Sequence, residues 1–139
     1  MSIEANKALV ERYYHELVTG QRLDLLPELV AEDAADETVV GRGGSGTRED
    51  FAEHLRVLWS TVQGVTATVE DLVAEEDRVI AFWRIEGVHV GPVFGVPGTG
   101  RAFSGRSIST LTIRDGKVVR YNVLPDRLGI IQQLTPVTV

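Results

Sequence analysis

Apolar positions recur three and four apart through residues 3 to 19, where Leu9, Val10, Tyr13, Tyr14, Leu17 and Val18 line one side of a stretch without Gly or Pro. That spacing predicts an amphipathic helix with a wide buried stripe, closed by Gly20 at its C-terminal end. A short second helix is expected from Asp24 as its cap, with Pro27 in the first turn, an apolar side of Leu25, Leu26, Leu29 and Val30, and an end near Glu32. The following residues, ending in Gly41-Arg42-Gly43-Gly44-Ser45-Gly46, read as a loop, because ordering so many glycines costs entropy; a solvated connection and a flap both fit. Thr47 with Asp50 three residues on is a variant of the capping box. It opens a third helix on Phe51, Leu55, Leu58 and Val62, running to about Thr61.

From Val65 the period falls to two. Val65, Ala67 and Val69, then Val79, Ala81, Trp83 and Ile85, alternate with polar neighbours around a turn at Glu75-Glu76-Asp77, which predicts antiparallel strands. Gly and Pro punctuate residues 91 to 101, a long loop with an apolar plug of Val93, Phe94 and Val96. Asp115-Gly116 between two apolar runs is a hairpin signal, since a type I′ turn needs positive φ at both central residues. The last strand is expected to reach about Leu124, and Asp126 to cap a helix from Arg127 to Leu134. Helices followed by a meander of strands define an α+β fold, expected as one domain over residues 1–139. Its sheet has to curl over the helices to hide its apolar face, which tends to enclose a pocket.

Composition narrows the choice of partner. The 139 residues are 43% hydrophobic and 24% charged, long enough to bury a core and without an apolar run of the about 18 residues that a membrane span needs. No membrane association is expected. A net charge of −6 disfavours a nucleic-acid backbone, which is held by clustered Lys and Arg. The absence of cysteine removes disulfides, zinc-thiolate sites and a cysteine nucleophile. The N-terminal residues do not read as a secretory signal, so a cytoplasmic location is expected. A small molecule or a second copy of the chain is the expected partner.

The segments Asn6 to Tyr14, Asp24 to Val30, Val69 to Glu75, Gly87-Val88-His89-Val90-Gly91, Gly95 to Arg101, Asp115 to Val119 and Asp126 to Leu134 resemble, in order and spacing, the SnoaL-like polyketide cyclases. The resemblance implies the NTF2-like cone with an apolar cavity, a homodimer, and cofactor-free ring closure of a polyketide. It also implies an aspartate acid/base on the last strand, assisted by a histidine on the preceding one. Here those positions hold Val123 and Ser109, neither of which is a base near neutral pH. The family's Trp-Asp pair is replaced by Asn122-Val123, and a further family histidine by Glu37.

The candidate site is therefore assembled from what remains. Alternation puts Val119, Tyr121 and Val123 on the pocket face, with Ser107 and Ser109 on the neighbouring strand. Tyr121 and Ser109 can donate to a substrate oxygen or serve only as lining. His54, on the apolar face of the third helix, is either a base in the cavity or a core-edge histidine bonded to backbone. His89 sits at the cavity mouth or anchors the long loop. Trp83 and Tyr14 offer aromatic walls for an apolar ligand, and His15 faces solvent. Arg84 and Glu86 share the outer face, where they can pair. Asp126 is read as a helix cap rather than a surviving catalytic carboxylate, and Asp36 and Glu37 either reach the pocket or form a solvated acidic turn, the commoner outcome. No metal-ligand spacing appears among the histidines and carboxylates. Taken with the resemblance, these residues imply a cofactor-independent cyclase of natural-product biosynthesis, working by shape and hydrogen-bond activation on a large apolar substrate. A cycloaddition or dehydrative closure suits a site without the family's base. The alternatives are a non-catalytic carrier and an epoxide hydrolase or isomerase.

Overall fold

A computed structural model describes residues 2–40 and 44–135. The glycine-rich loop is therefore described only at Gly44, Ser45 and Gly46; residues 41–43, where a solvated connection or a flap is expected, lie outside the described residues. The first helix follows the apolar period but changes pitch within it: α1 is Ile3–Arg12, and Tyr13–Thr19 continues as a π-helix. Wider turns bring adjacent residues inward in pairs, so that Tyr13 with Tyr14, and Leu17 with Val18, are all buried. Gly20 ends it, but not through a left-handed turn. Its φ is −73°, and positive φ falls on Gln21 instead. Glycine is needed at 20 because a Cβ there would stand 2.5 Å from the Glu16 carbonyl oxygen.

The second helix is shorter than its apolar pattern suggests. α2 spans Leu26–Leu29 after a 3-10 turn at Leu23–Leu25. Asp24 lies within that turn and pairs with Arg22 at 2.9 Å rather than capping α2. Val30–Asp36, expected as helix end and loop, is strand β1. It pairs in parallel with the far end of the chain, which overrides the weak strand propensity of its Ala, Asp and Glu residues. A short α3, Glu37–Val40, follows, then α4, Arg48–Thr61. The start of α4 is held by Asp50, whose carboxylate accepts from Ser45 N–H at 2.8 Å, Ser45 Oγ at 2.9 Å and Gly46 N–H at 2.6 Å. Asp50 thus reaches back past Thr47, whose own side chain caps nothing.

Strands β2 (Val62–Glu75), β3 (Arg78–His89), β4 (Ala102–Arg114) and β5 (Lys117–Pro125) form the meander, and α5 (Arg127–Leu134) closes it. The sheet is open, in the order β1-β5-β4-β3-β2, parallel only between β1 and β5. Asp115 and Gly116 both take positive φ, 52° and 74°, as the hairpin pattern required. Asp126 caps α5 by accepting from Gly129 N–H at 3.0 Å.

One feature of β5 alters the alternation. Its register with β4 slips between Thr112↔Arg120 and Ile113↔Val118, leaving Val119 as a bulge. Val118, fully buried, takes the core position expected of Val119, while Tyr121 still faces inward. On the outer face Arg84 bonds Ser104 and Glu70, not Glu86. The expected α+β architecture, with α1, α4 and α5 packed against the sheet's inner side, is thus observed.

Candidate active site

Between helices and sheet lies a cavity of ≈ 310 Å³, within the range of small-molecule sites and near its lower end. The sheet supplies Trp83 from β3, Ser107 from β4 and Tyr121 with Val123 from β5; the helices supply Tyr13, Tyr14 and His54. The period-two pattern of β3–β5 and the paired inward positions of the π-helix explain why so many aromatics converge. Tyr14 stacks on Trp83 with ring centroids 4.8 Å apart, and Tyr13 lies 5.6 Å from Tyr121.

A run of polar groups crosses this aromatic floor. The Trp83 indole N–H donates to Ser109 Oγ at 2.8 Å, and Ser109 Oγ donates to the Tyr121 hydroxyl at 3.4 Å. With its oxygen accepting, Tyr121 keeps its own proton to give. Beside it the Tyr14 hydroxyl is buried with no hydrogen-bond partner among the described residues. Burial pushes the Tyr14 phenol well above its usual range and the Tyr121 phenol up to about 12, the latter against the opposing bond from Ser109. Both therefore stay neutral donors.

A second polar group lies beside Tyr121. His54 Nδ1 is 2.8 Å from Asp36 Oδ2. Asp36 is fully buried and also accepts from Thr38 N–H at 3.0 Å. A carboxylate accepts only, so the proton of this bond belongs to Nδ1, and in the neutral form of the ring Nε2 is the acceptor. His54 is 34% exposed and lines the cavity, and its ring is 6.4 Å from that of Tyr121. The parallel pairing that sets Asp36 opposite Tyr121 places this dyad beside the phenol row. Thr38 fastens the same segment to β5 by accepting from Val123 N–H at 3.2 Å.

Of the expected site residues, Tyr121, His54, Trp83, Tyr14, Ser107 and Val123 share the cavity wall. Ser109 lies one layer behind it, fully buried and directly opposite Val123 in the β4–β5 register. His89 is not on the wall. Its ring nitrogens meet Thr99 Oγ1 at 3.0 Å and the Val96 carbonyl at 3.1 Å, which ties down the 91–101 loop. Glu37 pairs with Arg120 at 2.6 Å outside the cavity. Of the two readings of Asp36, the structure shows the inward one: it is fully buried and bonded to His54, not part of a solvated turn. Among the described residues no cluster of three metal-ligating side chains occurs.

An open α+β sheet curled on an apolar cavity, with a histidine–carboxylate pair beside phenolic donors, has the form of a small-molecule site. Residues 8–134 match the SnoaL-like polyketide cyclase family, and the chain belongs to that family. It is 37% identical over 115 residues to the nogalonic acid methyl ester cyclase of Streptomyces nogalater, covering 81% of this chain and 85% of that protein. Aklanonic acid methyl ester cyclase DnrD of Streptomyces peucetius is 41% identical over 70 residues, a match spanning 49% of this chain and 48%, about half, of that protein. The structure of TsrD from Streptomyces laurentii superposes with a TM-score of 0.87 at 25% identity, covering 99% of each chain.

Proposed function

We propose that the protein is a cofactor-independent cyclase of natural-product biosynthesis that closes a ring in an apolar, polyketide-type substrate through an enolate. The observation that carries this reading is the His54–Asp36 bond at the cavity wall. His54 Nε2 takes a proton from a carbon next to a carbonyl, and Asp36 holds the imidazolium that results. Tyr121 donates to the oxygen on which the charge develops. The enolate carbon then forms a bond to a second carbonyl carbon of the same molecule, and the alkoxide recovers the proton from His54. His54 thereby takes the role of the family aspartate that Val123 replaces. With a base in the cavity, an aldol closure is better supported than the base-free cycloaddition or dehydration. Fixing both reacting carbons in the cavity supplies part of the acceleration.

Incubation with anthraquinone polyketide methyl esters of the kind the named relatives act on tests the reading. Turnover of many equivalents is expected, falling about 10²- to 10⁴-fold in His54→Gln. Asp36→Asn should lower turnover too and displace its pH profile. A ligand returned unchanged by the wild type would indicate a carrier, and full activity in His54→Gln would remove the proposed base.

The active form is proposed to be a homodimer joined by the outer sheet face. Phe82, Ile108 and Leu124 stand directly opposite one another across β3, β4 and β5, and are 38%, 43% and 68% exposed. A connected apolar stripe of this kind favours cover by a second copy.

A further inference from the structure

We infer that the mouth of the cavity is a subsite for a carboxylate carried by an otherwise apolar substrate, with Arg127 as the residue that binds it. Among the described residues that line the cavity, Arg127 is the only one with a permanent charge. It forms no ion pair among the described residues, and the adjacent Asp126 carboxylate is occupied by Gly129 N–H. Other described arginines and lysines also lack an ion pair, and Arg127 is set apart from them by its place on the cavity wall.

The guanidinium is also oriented. Its carbon lies 5.2 Å from the ring centroid of Phe94, which itself lines the cavity. Phe94 takes φ of 48° and Gly95 of 79°, in a tight turn closed by Val93 N–H to the Val96 carbonyl at 3.0 Å and its reciprocal bond at 2.9 Å. A non-glycine residue with such a φ carries strain that its surroundings must offset. Here the strained residue is the one that supports the arginine. Stacking on a ring leaves the edge of the guanidinium, with its N–H fork, free to meet a carboxylate by two parallel bonds. One cation matches one negative charge, and its exposure keeps the anion partly hydrated while the apolar body enters the cavity. The nogalonic and aklanonic acid cyclases named above act, by their names, on methyl esters, so a preference for the free acid would set this chain apart from them.

The inference deepens the proposed function and rests on this cavity being the substrate site, but its test needs no turnover. Binding of 2-naphthoate and of methyl 2-naphthoate is measured by quenching of tryptophan fluorescence for the wild type, Arg127→Gln, Arg127→Lys and His54→Gln. The wild type should hold the acid about tenfold more tightly than the ester, as expected for a charged hydrogen bond. Arg127→Gln should lose that preference by weakening the acid alone, and Arg127→Lys should keep part of it. Added salt should shrink the preference in the wild type. His54→Gln should retain it whether or not the protein proves to be a cyclase. Equal or better binding of the ester, an unchanged preference in Arg127→Gln, or no binding of either probe at millimolar concentration would overturn the subsite.

Discussion

Asp36 and Asp50 are both carboxylates withdrawn from water, and the protein uses them in different ways. Asp36 meets an imidazole and one backbone N–H at the cavity, whereas Asp50 organises the chain at the start of α4. Burial alone would raise the Asp50 carboxyl, but the donors from Ser45 and Gly46 outweigh it and hold the group below its usual range. A depressed carboxyl contributes stability that is complete above the unfolded value, about 4, and is lost as pH falls through the lower folded value. Thermal unfolding of the wild type should therefore weaken on acidification from about pH 5 to pH 3 more than that of Asp50→Asn. Equal pH slopes in calorimetry would show that Asp50 is not a stabilising cap. The two aspartates were not equally legible. Asp50 stands in a helix-start pattern that local chemistry explains, while Asp36 becomes buried only because β1 meets β5 from far along the chain. Val119 was misplaced for a related reason: a bulge is set by strand pairing and leaves no mark on the alternation itself.

Among the elements, those with a strong period or a dedicated turn residue could be read directly: α1, α4, the β2–β5 meander, the Asp115-Gly116 hairpin and the Asp126-capped α5. β1 could not, since its Ala, Asp and Glu residues carry no strand preference. The loop from 91 to 101 was recognised as a loop, and the structure adds its latch at His89. His89 N–H donates to the Arg101 carbonyl and Gly100 N–H to the His89 carbonyl, both at 2.8 Å, so backbone and side chain hold the same segment. Replacing the imidazole with a methyl group removes its bonds to the exposed Thr99 and half-buried Val96, at about 0.5–1.5 kcal/mol each. His89→Ala should lower the melting temperature and expose residues 91–101 to limited proteolysis; an equally protected loop would show that the backbone contacts suffice. Phe94 and Arg127 would lose their mutual support in the same variant, so the loop's order and the mouth of the cavity are coupled.

At the scale of the molecule, two faces of one sheet do separate work. The inner face builds the cavity, and the outer face carries the apolar stripe through Ile108. Ile108→Glu puts a charge at the centre of the proposed dimer contact, which should raise the dissociation constant by about 100-fold or more in analytical ultracentrifugation while leaving the fold intact. A wild type that sediments as a monomer at micromolar concentration would remove the dimer. The cavity's aromatic wall depends on something other than which residues are present. Gly20 N–H reaches back five residues, to the His15 carbonyl, in the wide-pitched segment that turns Tyr13 and Tyr14 inward together. A helix of that pitch holds one residue more than an ordinary turn. Excising a single residue there would restore the common pitch and rotate everything before it by about 100°. Insertion and deletion, and not substitution alone, are thus an evolutionary route by which this pocket can be reshaped with its aromatic residues unchanged.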